Sequence, residues 1–167
     1  MPNAQPPHRS TPPLASPQDR LQMVRLATAN VVGLSASALE VERGGPSYTI
    51  DSLRQLRLLE PNRPLRLLLG SDAALQIQTW RQAQELLSEA SFVIFSRGQV
   101  RLDPRQLELI GFPLDRTEVV TLQTPAISAR VVRERLLRGE PVPELLTPEV
   151  AEYIRERGLY SPKSRMG

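Results

Sequence analysis

The stretch of sequence that most constrains the fold is an apolar run followed by a turn, from Leu65 to Asp72. Four of its first five residues are leucines, and turn-forming residues flank the run on both sides. A short apolar run bounded in this way predicts a strand buried on both faces. Gly70 permits a tight turn and a close ligand, and Asp72 predicts an N-cap for a helix beginning at Ala73. Ligands of open α/β sheets bind at such turns, although an ordinary turn without a ligand is the alternative.

Strands and helices are predicted to alternate along almost the whole chain. Capping residues and helical periodicity predict helices from Pro17 to between Asn30 and Gly33, at Ile50–Leu59, Arg81–Ala90 and Asp103–Ile110, after the Ser128 cap, and from Pro148 to Gly158. Alternating or apolar β-prone runs predict strands at Ala38–Glu42, Ser91–Ser96 and Glu118–Leu122. This order predicts an α/β fold, a parallel sheet with helices on both faces, in a single domain spanning residues 1–167.

Composition excludes several classes of function. The chain has no cysteine, which excludes disulfides, thiolate metal sites and cysteine nucleophiles. His8 is the only histidine, so a mechanism that needs two imidazoles from one chain is also excluded. No apolar run approaches the roughly 20 residues of a membrane span, and Met1–Pro7 does not resemble a signal peptide. We therefore expect a cytoplasmic protein without a membrane partner.

The charge pattern suits a small anionic ligand. A net charge of +3 is compatible with such a ligand and gives no argument for nucleic acid. Lys163 is the only lysine, so arginine supplies nearly all the positive charge. Arginine makes bidentate contacts with phosphate. The base composition of the gene explains the bias as well, and is the preferred explanation.

Several loops carry residue types that suit a nucleotide. A carboxylate suits a ribose hydroxyl, backbone amides at a helix N-terminus suit a phosphate, and arginine suits phosphate charge. Singly these signals are weak, since Trp80 could be core packing and Ser128 a simple cap. Together they predict a nucleotide site, without support for a P-loop or a GxGxxG fingerprint. The loops are Gly44–Thr49, Gly70–Asp72, Arg97–Gly98, and Ile127–Ser128 followed by Arg133.

In combination, these motifs resemble those of bacterial nicotinate-nucleotide adenylyltransferases, over nearly the whole chain from Pro2 to Tyr160. Such enzymes have a Rossmann-like nucleotidyltransferase fold. The matching segments are Pro2–Arg9, which resembles the segment after the family's second strand, Arg43–Leu53, which resembles R-x-G-x-S-Y-T-x-D-T-L, Gly70–Trp80, which resembles G-x-D…W, and Ile127–Arg133, which resembles I-S-S-T-x-I-R.

The resemblance implies adenylyl transfer from ATP to nicotinate mononucleotide, giving deamido-NAD and pyrophosphate in NAD biosynthesis, with Mg²⁺ accompanying ATP. It implies that Trp80 stacks on the pyridine ring, while Arg81 and the backbone at Tyr48 and Thr49 hold the pyridine carboxylate. The implied ATP-binding residues are Arg9, Gly70, Asp72, Arg97, Ile127 and Ser128. The implied catalytic residues, which act on the phosphates, are His8, Ser128 and Arg133. No residue is implied as a metal ligand, and a homo-oligomer is compatible with the sequence.

The sequence departs from the family pattern in two places. Ala129 and Arg130 replace a Ser-Thr pair, so a phosphate-facing hydroxyl is lost, and Arg130 either compensates with its charge or points away. The family's G-G-x-F-D-P-x-H-x-G-H segment, expected before Pro2, is absent. We therefore expect a truncated chain that lacks the first, central strand and has impaired activity, since losing one preorganised donor costs about 2.7–4 kcal/mol.

Alternatives to this enzyme remain open at the level of sequence. One is a non-catalytic nucleotide-binding module or a decayed paralogue, which would bind nicotinate mononucleotide without turnover. A weaker one is another nucleotidyltransferase of the same fold, acting on nicotinamide mononucleotide or a pantetheine phosphate.

Overall fold

The computed structural model describes residues 1–7, 12–97, 102–122 and 127–161, with only the backbone described at Arg97. It divides into two compact units, each described here by itself. Unit 1 comprises Met1–Ser47 and Ala126–Gly167, and unit 2 comprises Tyr48–Pro125. A single domain over residues 1–167 stays a prediction.

In the described residues, one or more helices separate each strand from the next. The helices are α1 (Pro17–Thr28), α2 (Leu39–Arg43), α3 (Thr49–Leu59), α4 (Ser71–Leu75), α5 (Ala83–Glu89), α6 (Pro104–Ile110), α7 (Ala129–Leu137) and α8 (Pro148–Glu156). The strands are β1 (Arg66–Gly70), β2 (Ser91–Arg97) and β3 (Thr117–Leu122), and single 3-10 turns lie at Ile77–Thr79 and Leu114–Arg116. None of the helices in these described ranges has the length and apolar character needed to cross a membrane.

Unit 2 is built on a parallel sheet in the order β1-β2-β3. The register aligns Leu69 with Ile94, and Ile94 with Val119. Side chains alternate between the faces of a strand, so Leu69 and Ile94 point to the same face, where Phe92 is also buried. The ring of Phe92 packs edge-on against Phe112, with centroids 5.0 Å apart. Apolar residues of α3, α5 and α6 complete this core.

The prediction that the first apolar run is buried on both faces is wrong. In β1, Leu69 is buried but Leu68, on the opposite face, is 64% exposed. The physical reason is that this opposite face is open to solvent, since it also carries the exposed residues Arg66 and Glu118. On that opposite face Arg66 forms an exposed ion pair with Glu118, at 3.1 Å.

Two other local predictions are wrong. Residues 38–42 were expected as a strand, but Leu39–Arg43 is a helix. Such a short alternation also fits a single helical turn, and the N–H of Gly44, at φ +71°, closes the turn by donating to the Glu40 carbonyl. Helix α4 begins at Ser71, with Gly70 rather than Asp72 in the N-cap position.

Capping signals at other helix starts are confirmed. The hydroxyls of Ser16, Ser128 and Thr147 accept hydrogen bonds from the first turns of α1, α7 and α8. At α3, where the flanking residues Ser47 and Thr49 are of types that commonly cap helices, Tyr48 is the N-cap and makes no side-chain cap bond. The Ser47 hydroxyl instead accepts from the Ala4 N–H, at 2.9 Å.

A buried carboxylate joins α1 to α8 within unit 1. Asp19 accepts hydrogen bonds from the Ser16 hydroxyl at 2.6 Å and from the Tyr153 hydroxyl at 2.8 Å. Arg157 adds an ion pair at 3.4 Å. The hydrogen bond from Ser16, followed by those from Tyr153 and Arg157, lowers the pKa of Asp19 against the opposing effect of burial.

We predict that Tyr153→Phe lowers the unfolding free energy by about 1.5 kcal/mol at neutral pH, because it removes a hydrogen bond to a charged group. A lowered folded-state pKa stabilises the fold above the ordinary value of 3.8, and this stabilisation is lost as pH falls through the folded pKa. Urea unfolding should therefore show a smaller difference between variant and wild type in acid. An equal difference at all pH values would contradict the prediction, and Asp19→Asn serves as the control that removes the titrating group.

Candidate active site

The turn after β1 brings a carboxylate against a glycine. Gly70 pairs with Phe95 at the carboxyl end of the strand and leads directly into α4. A Cβ atom added to Gly70 would lie 2.7 Å from Oδ1 of Asp72, which is closer than real Cβ contacts. Asp72 is exposed to solvent. Glycine at this position therefore permits the Asp72 carboxylate to lie over the turn, where a ligand could reach it.

A second cluster lies at the start of α3. The guanidinium carbon of Arg81 lies 4.5 Å from the centroid of the Tyr48 ring, which is a cation–π contact. Tyr48 and Trp80 are half-buried and pack against the core of unit 2, and Arg81 is exposed. Thr49 is the first residue of α3. The structure therefore brings Tyr48, Thr49 and Arg81 together and places Trp80 next to Arg81 in the chain.

Helix α7 of unit 1 carries the predicted phosphate-binding residues. Ser128 is exposed, and its hydroxyl caps the helix by accepting from the Arg130 N–H at 3.3 Å. Ile127, just before it, is also exposed. The Arg130 side chain is 80% exposed and pairs with Glu134 at 2.9 Å. In this structure Arg130 therefore runs along the helix surface toward Glu134.

Arg133, further along α7, lines a cavity of about 180 Å³. Arg20 and Tyr160 line the same cavity, together with Asn3 from the N-terminal segment. Asn3, Arg20 and Tyr160 were not predicted as site residues. The only signals in the sequence were that Asn3 belongs to the segment Pro2–Arg9 and that Tyr160 is the last residue of the stretch that resembles the family.

The remaining predicted site residues lie partly outside the described chain. His8 and Arg9 lie outside the described residues, and so does the side chain of Arg97, whose backbone ends β2. Tyr48, Asp72 and Trp80 belong to unit 2, whereas Ser128 and Arg133 belong to unit 1. Their convergence in one crevice stays a prediction.

The chain is similar to known nucleotidyltransferases. A family model described as cytidylyltransferase-like matches residues 1–135, which is most of the chain. This match places the protein in the cytidylyltransferase-like class, whose fold accounts for the parallel sheet and its helices.

Relatives and solved structures identify the family within that class. A probable nicotinate-nucleotide adenylyltransferase of Streptomyces coelicolor is 37% identical over 96% of this chain and 82% of its own. One of Acidothermus cellulolyticus is 35% identical over 96% of this chain and 77% of its own. The structure of Plasmodium falciparum nicotinic acid mononucleotide adenylyltransferase complexed with NaAD matches with a TM-score of 0.73 at 23% identity, over 91% of this chain and 78% of that chain. The chain belongs to the nicotinate-nucleotide adenylyltransferases, and the predicted Rossmann-like α/β fold is confirmed.

We predict a measurable energetic coupling between Arg81 and Tyr48. A double-mutant cycle with Arg81→Ala and Tyr48→Leu, measured by urea unfolding, should give about 0.5–1 kcal/mol, the value of a cation–π contact at an exposed site. Tyr48→Phe is the matched control, because it keeps the ring face and should keep most of the coupling. A coupling energy of zero in the cycle would show that the contact does not stabilise unit 2.

Proposed function

We propose that this protein transfers the adenylyl group of ATP to nicotinate mononucleotide, giving deamido-NAD and pyrophosphate. The proposal rests on one observation, that the chain belongs to the nicotinate-nucleotide adenylyltransferases. It is 37% identical to one such relative and covers 82% of that relative's length. In this reaction a phosphate oxygen of the mononucleotide attacks the α-phosphorus of ATP. The bond from that phosphorus to the bridging oxygen breaks, and pyrophosphate leaves with the electron pair.

The start of α3 supports binding of the pyridine carboxylate. Tyr48 makes no side-chain cap bond, so the first N–H groups of α3 have no cap from it and can bind an anion. The guanidinium of Arg81, held over the Tyr48 ring, adds positive charge. We propose that these amides, including that of Thr49, and Arg81 hold the carboxylate while Trp80 stacks on the ring.

The residues that we propose for ATP binding come from the turn after β1 and from the start of α7. Asp72, lying over Gly70, has the carboxylate that suits a ribose hydroxyl. Ser128 and Arg133 have the hydroxyl and guanidinium that suit the phosphates. The resemblance implies that Arg9, Arg97 and Ile127 also bind ATP, and that His8 acts on the phosphates. Such catalysis is mostly positioning and charge neutralisation, without a covalent nucleophile.

We propose that Mg²⁺ enters the reaction as the magnesium complex of ATP. Magnesium is commonly held by substrate phosphates together with one or two carboxylates rather than by an all-protein cage. In the part of the chain that the structure describes, no three histidine, aspartate or glutamate side chains form a metal-binding group. A cation that arrives on the triphosphate would neutralise part of its charge there. A cytoplasmic location and a homo-oligomer stay predictions.

The test is the release of pyrophosphate from MgATP in the presence of nicotinate mononucleotide. The proposal expects turnover with this substrate and much slower turnover with nicotinamide mononucleotide or a pantetheine phosphate. Binding of nicotinate mononucleotide without pyrophosphate release would instead favour the non-catalytic binding module. The same assay measures whether activity is impaired, as the sequence analysis expects.

We predict that nicotinate mononucleotide quenches the fluorescence of Trp80, the only tryptophan in the chain. Trp80→Ala should raise the KM for nicotinate mononucleotide by about 5- to 150-fold, because stacking on an aromatic side chain is worth about 1–3 kcal/mol. The KM for ATP should change little. Trp80→Phe is the matched control, since it keeps an aromatic face and should lose less affinity. Equal effects on both substrates would point to general damage of unit 2.

We predict that Gly70→Ala raises the KM for ATP about tenfold, which corresponds to ~1.4 kcal/mol. The added methyl group would occupy the position of the Asp72 carboxylate and displace it from the turn. Because the φ angle of Gly70 is −73°, alanine adopts this backbone without strain, and the unfolding free energy should change little. Asp72→Asn is the companion variant. A raised KM in Asp72→Asn but not in Gly70→Ala would show that the turn tolerates the side chain.

A further inference from the structure

The cavity beside Arg133 has a cationic lining. It is lined by Asn3, Pro6, Pro13, Leu14, Arg20, Arg133 and Tyr160, all of which belong to unit 1. Among the described residues of this lining, both charged side chains are arginines. Arg20 is held in place by the side-chain oxygen of Asn3 at 2.7 Å and by the carbonyl of Ala4 at 3.0 Å. The lining therefore favours an anion over a cation or a neutral molecule.

Arg133 differs from the other arginines of α7 and its C-cap. Arg130 pairs with Glu134, Arg135 pairs with Glu144 at 2.6 Å, and Arg138 pairs with Glu140 at 2.5 Å. Arg133 is half-buried and, among the residues that the structure describes, has no carboxylate within ion-pair distance. A guanidinium that is partly removed from water without a counter-ion binds an oxyanion readily, through two parallel hydrogen bonds.

Tyr160 lines the same cavity. Its backbone has a φ of +56°, a conformation that side-chain-bearing residues rarely adopt. Burial raises the pKa of the Tyr160 phenol, the positive charges of Arg133 and Arg20 oppose that shift, and the negative charge of Asp19 adds to it. The phenol therefore stays protonated at neutral pH, where it can donate a hydrogen bond. Tyr160 also feels the charge of both arginines that line the cavity.

The size of the cavity limits what it can hold. Sites that enclose a whole small molecule measure roughly 300–1,000 Å³, which is larger than the 180 Å³ found here. Since one water occupies about 30 Å³ of liquid, the cavity has room for one phosphate group and a few waters. A nucleoside does not fit.

We propose that this cavity binds a single phosphate group, with the guanidinium of Arg133 and a hydrogen bond donated by the Tyr160 hydroxyl as its main contacts. Arg20 contributes charge at the back of the site. Tyr160 is thereby a substrate-binding residue in addition to those implied by the resemblance. The proposal rests on the proposed function insofar as the phosphate belongs to ATP or to nicotinate mononucleotide.

The test is calorimetric titration with inorganic phosphate and with pyrophosphate. We expect Arg133→Gln to weaken binding more than tenfold and Tyr160→Phe to weaken it about tenfold, because a hydrogen bond to a charged group is lost. Two matched controls should bind within about twofold of wild type. Tyr153→Phe loses a tyrosine hydroxyl of unit 1 outside the cavity, and Arg155→Gln loses an arginine charge from the exposed face of α8. Unfolding curves of all variants check that each is folded.

Titrations with ATP and with nicotinate mononucleotide then identify the source of the phosphate, since only the substrate that occupies the cavity should bind Tyr160→Phe more weakly. The proposal is overturned if wild type binds neither anion, or if Tyr160→Phe and Arg133→Gln bind both anions as wild type does. Pyrophosphate release is measured in parallel. If the protein turns over and Tyr160→Phe has no effect on KM, the proposed phosphate site alone is overturned. If phosphate binding depends on Tyr160 but no pyrophosphate is released, the proposed function alone is overturned.

Discussion

Parallel pairing of β2 with both of its neighbours is the constraint on which unit 2 depends. Phe92 and Ile94 of β2 are almost completely buried, and hydrogen bonds on each side tie that strand to β1 and β3. Parallel strands all end at one edge of a sheet, so this pairing aligns Gly70 with Phe95 and Arg97 with Leu122. The turns that carry the proposed ATP contacts therefore follow from the same pairing that builds the core.

Unit 1 depends more on polar contacts. Asp19 is buried, yet its carboxylate accepts hydrogen bonds from α1 and α8 and is paired with Arg157. Burying a charge is costly unless it is paired and hydrogen-bonded. The contacts around Asp19 thus make a buried carboxylate compatible with the fold, and they tie α1, which contains Arg20, to α8, which precedes Tyr160.

Most strands and helix starts that depend on short-range signals, such as apolar runs and capping residues, were predicted correctly from the sequence. The run at Ser91–Ser96 is apolar and β-prone, and it is a strand. The hydroxyls of Ser16, Ser128 and Thr147 cap helices as their positions indicate. At Ala38–Glu42 the pattern fits a short strand and a single helical turn equally well, so the sequence could not decide between the two structures. The contacts of Asp19 with Tyr153, and the shared cavity of Arg20 and Tyr160, join residues far apart in the chain. No local pattern contains that information.

The chemistry of Tyr160 sets an upper pH limit on an anion site of this kind. Arginine keeps its charge in alkaline solution, so Arg133 and Arg20 remain cationic there. Once the phenol ionises, above the ordinary range for tyrosine because of its burial, a phenolate stands beside these guanidiniums. An internal anion would then compete with the substrate for the same positive charge. The Tyr160 side chain, which donates a hydrogen bond to the phosphate at neutral pH, thus becomes an anion that weakens phosphate binding in strong alkali.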